Sequence, residues 1–300
     1  MVSVESERLA TFLRSRGAHV HEDLEFFGRG PSGTRGVFAA APIAKGELLL
    51  RLPRGAVLAA CDAGDAACDW MPEGARNASP ILRTALFLLR ERALGEGSAW
   101  APYMSTLPAS YDTLEHWGQE ELAALGGTSV HDELAGLRDK KTGDLDGPAR
   151  VLWERSIAPM VEASPELWPD ASLASFLHAC ATVRTRGFYD TAAGGGGPYM
   201  LPAIDMLNHA CKGTATSLVV ERGSGGSGEG GGEGGGGGGE RGERGGGAKV
   251  QGARGSSSLV FSMEAERALR AGEEVVHTYD ELDDAQLLLT YGFVSAAGEG

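Results

Sequence analysis

The chain has no run approaching the about 20 consecutive apolar residues that a membrane-spanning helix needs; the apolar segment at Phe87-Leu-Leu89 is bracketed by Arg83 and Arg90. Its first residues, Met1-Val-Ser-Val-Glu-Ser-Glu7, lack the basic-then-apolar order of a secretory signal and are too acidic for an organelle transit peptide. A cytosolic or nuclear location is the expectation. Cysteine is scarce: Cys61, Cys68, Cys180 and Cys211 form no C-x-x-C pair, so no structural zinc site is indicated. Reduced thiols are expected, with Cys180 packed as a small hydrophobe in an apolar helical pattern. Positive charge is short as well: 27 Lys and Arg against 41 Asp and Glu leave a formal charge of −14. That balance argues against a nucleic-acid or anionic-membrane surface and leaves a basic protein segment as a partner, or solubility alone. No Gly-Lys-Ser/Thr is present to make a phosphate loop.

What is present falls into three stretches, within one large domain or two modest ones. Residues 1–55 read as a helix, with Leu9, Phe12 and Leu13 as its stripe and Gly17 as its stop, followed by strands at Arg35–Ala39 and Glu47–Leu52 joined by a turn at Lys45-Gly46. Residues 56–175 are helical in pattern. Ser79-Pro80 caps a segment whose Ile81, Leu82, Ala85, Leu86, Leu88 and Leu89 give a wide apolar face. Shorter helical signals run from Leu114 to Leu125 and from Val151 to Met160. Residues 176–294 begin inside a stripe of Leu173, Phe176, Leu177 and Cys180 at helical spacing. They then hold two β-like runs, 217–221 and 258–262. Between those runs, 19 of the chain's 46 glycines crowd into residues 221–260. Such a tract buries nothing and costs much entropy to order, so 222–257 is expected to be a disordered loop grown from a hairpin tip. A final helix is signposted by Asp283, Gln286 and Gly292, which places Tyr291 in its last turn. Residues 295–300 are a tail.

The chemistry-bearing residues cluster in two C-terminal segments. They are Leu201-Pro-Ala-Ile-Asp-Met-Leu-Asn-His209 and Gly272-Glu-Glu-Val-Val-His-Thr-Tyr279, the latter running on to Leu287-Leu-Leu-Thr-Tyr-Gly-Phe293. Read alone, Tyr279 is a half-buried strand tyrosine, Arg186 a solvated surface arginine and Gly33-Thr-Arg-Gly-Val-Phe-Ala39 an ordinary turn before a strand. Asp205 and His209, four apart, could pair as two metal ligands, but no third ligand accompanies them. Together, in this order and separation, the segments resemble the catalytic half of a SET-domain protein methyltransferase. Leu88-Leu-Arg-Glu-Arg92, Ser98-Ala-Trp-Ala-Pro-Tyr103, Leu107-Pro108, His116-Trp117 and Glu120-Glu-Leu-Ala-Ala-Leu125 resemble the helical insert of the Rubisco large-subunit methyltransferase-like class. The likeness spans residues 28–294 apart from the glycine tract.

The resemblance implies an α+β fold: short twisted sheets with a pseudoknot-like C-terminal core, split by the helical insert. It implies S-adenosylmethionine as methyl donor, no metal, and a protein substrate presenting a lysine or a histidine, with lysine preferred. By the same likeness Gly33, Thr34, Arg35, Arg186, Asn208 and His209 would hold the cofactor. Tyr279 would be the catalytic tyrosine, and Asp205, Tyr279 and Tyr291 would shape the acceptor channel. Trp100 and Tyr103 read as packing residues of the insert. Methyl transfer from a sulfonium is an in-line displacement in which positioning supplies most of the catalysis. A lysine acceptor adds a burden, since only about one amine in a thousand is neutral near pH 7.4; a histidine would carry almost none.

Some positions depart from the family. Ala210 stands where serine often follows Asn-His, Asp280 where glycine is frequent, Asp284 where asparagine is common, and Asp190 where the plastid enzyme has a substrate-side arginine. Related proteins also continue past Tyr-Gly-Phe into a helical substrate-binding domain, so this chain is either truncated or recruits its substrate differently. A non-catalytic binding module that keeps the fold is the alternative from outside enzymology.

Overall fold

Local capping chemistry sets the helices most clearly. In the computed structural model, which describes residues 3–30, 33–60, 66–137, 147–190, 196–222 and 259–295, Ser79 Oγ accepts from the Leu82 N–H at 3.3 Å and opens a helix at Pro80–Leu94. Asp283 and Gln286 bond reciprocally to open Asp284–Tyr291, and Gly292, at φ 82°, closes it. Only glycine serves there, because a Cβ would overlap the Asp112 carbonyl. Ser3 caps the first helix, Val4–Ser15, and Gly17 follows it at φ 81°.

The described residues hold ten short strands: β1 (His19–Val20), β2 (Leu24–Arg29), β3 (Arg35–Ala39), β4 (Leu48–Pro53), β5 (Gly187–Phe188), β6 (Tyr199–Met200), β7 (Asn208–His209), β8 (Thr216–Arg222), β9 (Leu259–Ala265) and β10 (Val276–His277). They make a sheet of order β1-β4-β9-β8 and three pairs, β2–β3, β5–β6 and the parallel β7–β10. The two strands expected near the N-terminus form, but in different sheets: β3 pairs with β2, and β4 with β1 and β9. The two C-terminal β-like runs become β8 and β9, antiparallel with Arg222 opposite Leu259. The expected disordered loop at 222–257 lies outside the described residues except for Arg222, the end of β8.

Between β4 and β5 every described regular element is helical. The helix at Pro80–Leu94 packs on Leu173–Arg186, and Leu86, Leu89, Phe176 and Val183 of the two helices are buried. Cys180 lies against this core, and burial pushes its thiol up to about 12. The helical signal at 114–125 resolves into a 3₁₀ turn, Leu114–His116, and a short helix, Gln119–Ala123. The signal at 151–160 becomes a π turn, Trp153–Ile157, between Gly147–Leu152 and Ala158–Ala163. Pro159 explains the loosening, since it lacks the N–H that would bond the Arg155 carbonyl.

One arrangement positions everything functional. Residues 272–277 run past both β3 and β7: Gly272 N–H donates to the Ala39 carbonyl at 2.7 Å and Val275 N–H to the Val37 carbonyl at 2.8 Å, and β10 then pairs with β7. The chain's N-terminal strands, its Asn-His segment and its C-terminal segment thus close on one another. This is the pseudoknot-like α+β core that the resemblance implies.

Candidate active site

The β7–β10 register sets His209 opposite His277 and brings Tyr279, two residues past β10, back against β7. Two bonds then fix Tyr279. Its backbone N–H donates to His209 Nδ1 at 3.0 Å, and its hydroxyl donates to the Leu207 carbonyl at 2.8 Å. A ring nitrogen that accepts an N–H carries no proton, so the His209 proton sits on Nε2, which lies 3.2 Å from Cys211 Sγ. The strand ahead of Tyr279, β10, is only two residues long, and these two bonds hold the tyrosine in place.

Asn208 faces the N-terminal segment. Its Nδ2 donates to the Arg35 carbonyl at 3.0 Å and to Glu274 Oε1 at 2.7 Å. Gly36 permits this approach, because a Cβ there would overlap Glu274 Oε1 and lie 3.0 Å from Asn208 Nδ2. Gly33 adopts φ 79° beside open space, and Thr34 returns its carbonyl to the Gly30 N–H at 3.1 Å. The Arg35 guanidinium donates to the Thr106 carbonyl at 2.7 Å and lies 5.4 Å from the Phe27 ring centroid. Burial, with Arg186 nearby, holds its pKa below the usual arginine value. Gly33, Thr34, Arg35, Asn208 and His209 therefore come together around one junction.

Beside that junction opens a cavity of about 420 Å³ whose walls include Arg186, Phe188, Asp205, His277, Tyr279 and Tyr291. The Tyr279 and Tyr291 ring centroids are 4.9 Å apart, with Phe293 packed 6.0 Å beyond Tyr291. Burial pushes both hydroxyls above the ordinary tyrosine range, so Tyr279 stays a neutral phenol rather than a base. The Asp205 side chain is fully buried. Tyr103 OH donates to its Oδ2 at 2.8 Å, while Oδ1 has no hydrogen-bond partner. Desolvation pushes the Asp205 carboxyl up, opposed by Arg186 and by the Tyr103 bond. Arg186 Nη1 donates to the Asp205 carbonyl at 2.5 Å and lies 3.9 Å from Oδ2. Arg186 thus stands on the cavity wall beside Asp205, with its buried Nε unpartnered.

Tyr103 packs as expected, at 0 % exposure, but it also supports Asp205 across 102 residues of sequence. A buried tyrosine needs a partner for its hydroxyl, yet no spacing in the sequence names Asp205 as that partner. Gly36, Glu274 and His277 lie inside the quoted segments without an assigned part. Asp190 is engaged by Arg222, whose Nε and Nη2 donate to Oδ2 at 2.8 and 2.6 Å. Asp205 and His209 do not share a ligand site, since each is bonded elsewhere. Among the described residues no group of three His, Cys, Asp or Glu could hold a metal ion.

The chain is 24% identical over 263 residues to the chloroplastic ribulose-1,5 bisphosphate carboxylase/oxygenase large subunit N-methyltransferase of Nicotiana tabacum, covering 86% of this chain and 45% of that protein. It is 32% identical over 124 residues to the actin-histidine N-methyltransferase of Drosophila melanogaster, covering 41% of this chain and 22% of the relative. The chain thus spans less than half the length of either. A crystal structure described as the SET domain of LSMT bound to lysine and AdoHcy superposes with a TM-score of 0.69 at 23% identity, over 97% of this chain and 57% of that one, and shares its fold. The SET domain family model matches residues 34–280, most of the chain, and with the threaded core just described the chain belongs to the SET-domain family.

Proposed function

We propose that the chain is an S-adenosylmethionine-dependent protein N-methyltransferase acting on lysine. One observation carries the reading. The Tyr279 phenol is fixed by the Leu207–His209 segment at the wall of a cavity that also presents the buried Asp205 carboxylate. A cation-seeking group and a rigid neutral hydroxyl at one cavity suit a primary amine that must be bound, desolvated and oriented.

The residues fit a donor of this kind. Gly33, at φ 79° and with nothing within 4 Å of where a Cβ would sit, leaves its backbone open to a ligand. S-adenosylmethionine, when bound, supplies an activated methyl group on a sulfonium. Gly33, Thr34 and Arg35 would hold its methionine end. Asn208 and His209, whose side chains are spent within the protein, would contribute backbone groups. Arg186, with Nε unpartnered, would offer a charge-assisted bond to the carboxylate. On the acceptor side Tyr279 has its proton committed to Leu207, so its oxygen presents a lone pair to an N–H of the amine. Tyr291 narrows the channel, and Asp205 favours a cationic or multiply donating group. The lysine-bound SET neighbour supports lysine; the fly relative makes histidine the rival.

The test is methyl transfer from labelled donor to lysine- and histidine-bearing peptides, read by mass spectrometry. Lysine methylation that falls on the order of 100-fold in Tyr279→Phe is expected. Methylation confined to histidine would overturn the acceptor, and full activity in Tyr279→Phe would overturn the part given to that residue.

A further inference from the structure

Two runs of chain in the cavity wall come from separate sheets. Gly187, Phe188 and Tyr189 belong to β5 and the residue after it; Ser217 and Leu218 belong to β8. β5 pairs with β6 in a sheet of two, whereas β8 is an edge of the four-stranded sheet. No strand pairing fixes one run against the other, so side chains link them. The Tyr199 ring of β6 lies 5.0 Å from that of Phe261 in β9, centroid to centroid. Arg222, the last residue of β8, donates from Nε and Nη2 to Asp190 Oδ2 at 2.8 and 2.6 Å.

This ion pair is lopsided. The Asp190 side chain is 5% exposed and that of Arg222 36%. A nearly buried carboxylate is tolerated while a guanidinium meets it, and removing that partner strands a buried charge. The hydrogen bond to Asp190, with Tyr199 alongside, holds the Arg222 pKa above the usual arginine value. Asp190 directly follows Tyr189, which is 52% exposed and so stands at the outer rim of the cavity. The turn behind them is tightly packed. Asp190 N–H donates to the Gly196 carbonyl at 2.9 Å, and a Cβ on Gly197 would stand 3.0 Å from the Tyr189 ring. Neither Asp190 nor Arg222 lines the cavity.

We propose that Arg222 is a positioning residue for the acceptor: through Asp190 it holds Tyr189 at the cavity rim, and so sets acceptor affinity without touching acceptor or methyl donor. This rests on the methyltransferase reading above. Without Arg222 the Asp190 carboxylate turns toward water rather than stay buried and unpaired, and the adjoining Tyr189 is carried with it. The rim then loses the aromatic surface against which the aliphatic stem of a lysine side chain packs. The elements assigned to the donor, β3 and β7, take no part in the pair.

The experiment titrates free L-lysine into the chain saturated with S-adenosylhomocysteine. The variants are Arg222→Gln, Tyr189→Ala, and Arg222→Gln combined with either Tyr189→Ala or Asp190→Asn. Arg222→Gln should weaken lysine about three- to tenfold at unchanged S-adenosylhomocysteine affinity, which certifies the fold. In the Tyr189→Ala background the same substitution should add nothing. Asp190→Asn should restore most of the loss, because no charge is then stranded. A merely structural role would weaken both ligands together and leave the Tyr189 and Arg222 losses additive. Should Arg222→Gln not fold, Arg222→Lys, which keeps the charge but not the paired donors, carries the same test. Unchanged lysine affinity in the folded Arg222 variant overturns the inference, as do additive losses or a wild type that takes S-adenosylhomocysteine but no lysine. A folded wild type that takes no S-adenosylhomocysteine overturns the methyltransferase reading beneath it.

Discussion

Gly36→Ala places a single methyl group at the junction of the three converging segments. Its Cβ would overlap Glu274 Oε1, lie 3.1 Å from Glu274 Cδ and stand 3.0 Å from Asn208 Nδ2. The strand cannot retreat, since Gly36 pairs with Gly28 in β2 and the adjacent Val37 carbonyl accepts the Val275 N–H at 2.8 Å. Glu274 must move instead. Its half-buried side chain is flexible, so the cost is not strain but the severed 2.7 Å bond from Asn208. A hydrogen bond to a charged group contributes about 1.5–3 kcal/mol, and the variant should lose about that much stability in urea unfolding. Asn208 keeps its bond to the Arg35 carbonyl, but the Asn-His segment is no longer held from both sides. S-adenosylmethionine affinity by calorimetry should therefore fall about 10- to 100-fold. Glu274→Ala loses the same bond without the overlap, so the double variant should cost clearly less than the sum of the two singles. Wild-type stability and affinity in Gly36→Ala would refute the reasoning.

Tyr103→Phe removes the donor to Asp205 Oδ2 and leaves a buried carboxylate with less support, so unfolding should show a loss of about 1.5–3 kcal/mol at neutral pH. His277 makes stability depend on pH. Its folded pKa of about 4 lies below the ordinary histidine value of 6.5, so between these values the unfolded chain binds a proton that the folded chain does not. Stability is fully present above 6.5 and falls as the pH drops toward 4, by about 3 kcal/mol from this group. Urea unfolding near neutrality and near pH 4 should show wild type losing that much more than His277→Leu; equal losses would contradict the burial of a neutral ring.

The sequence carries local information well and distant pairing poorly. Ser79-Pro80 and the Asp283, Gln286, Gly292 set mark helix ends because caps are satisfied within a few residues. The runs that become β8 and β9 are legible from their β-branched composition. The motifs around Asn208 and Tyr279 read as a SET core by likeness, not by periodicity, and no alternation rule foretells that residues 272–277 pass both β3 and β7. Nor does spacing link Tyr103 to Asp205, or place β3 and β4 in separate sheets, since those contacts join residues far apart in the chain. Arg186 shows the limit of a motif read by position: its Nη1 is taken by the Asp205 carbonyl, a partner that only the folded chain brings within reach. The π turn before Pro159 follows from a missing N–H, but a helical stripe alone does not show where the ladder slips.

The most direct test of the central claim is calorimetric titration of the purified chain with S-adenosylmethionine, with His209→Ala as the comparison. His209 Nδ1 holds the Tyr279 backbone N–H, so its loss frees both halves of the junction. Micromolar binding by wild type that disappears in His209→Ala is the predicted result. A well-folded wild type that binds no S-adenosylmethionine would contradict it.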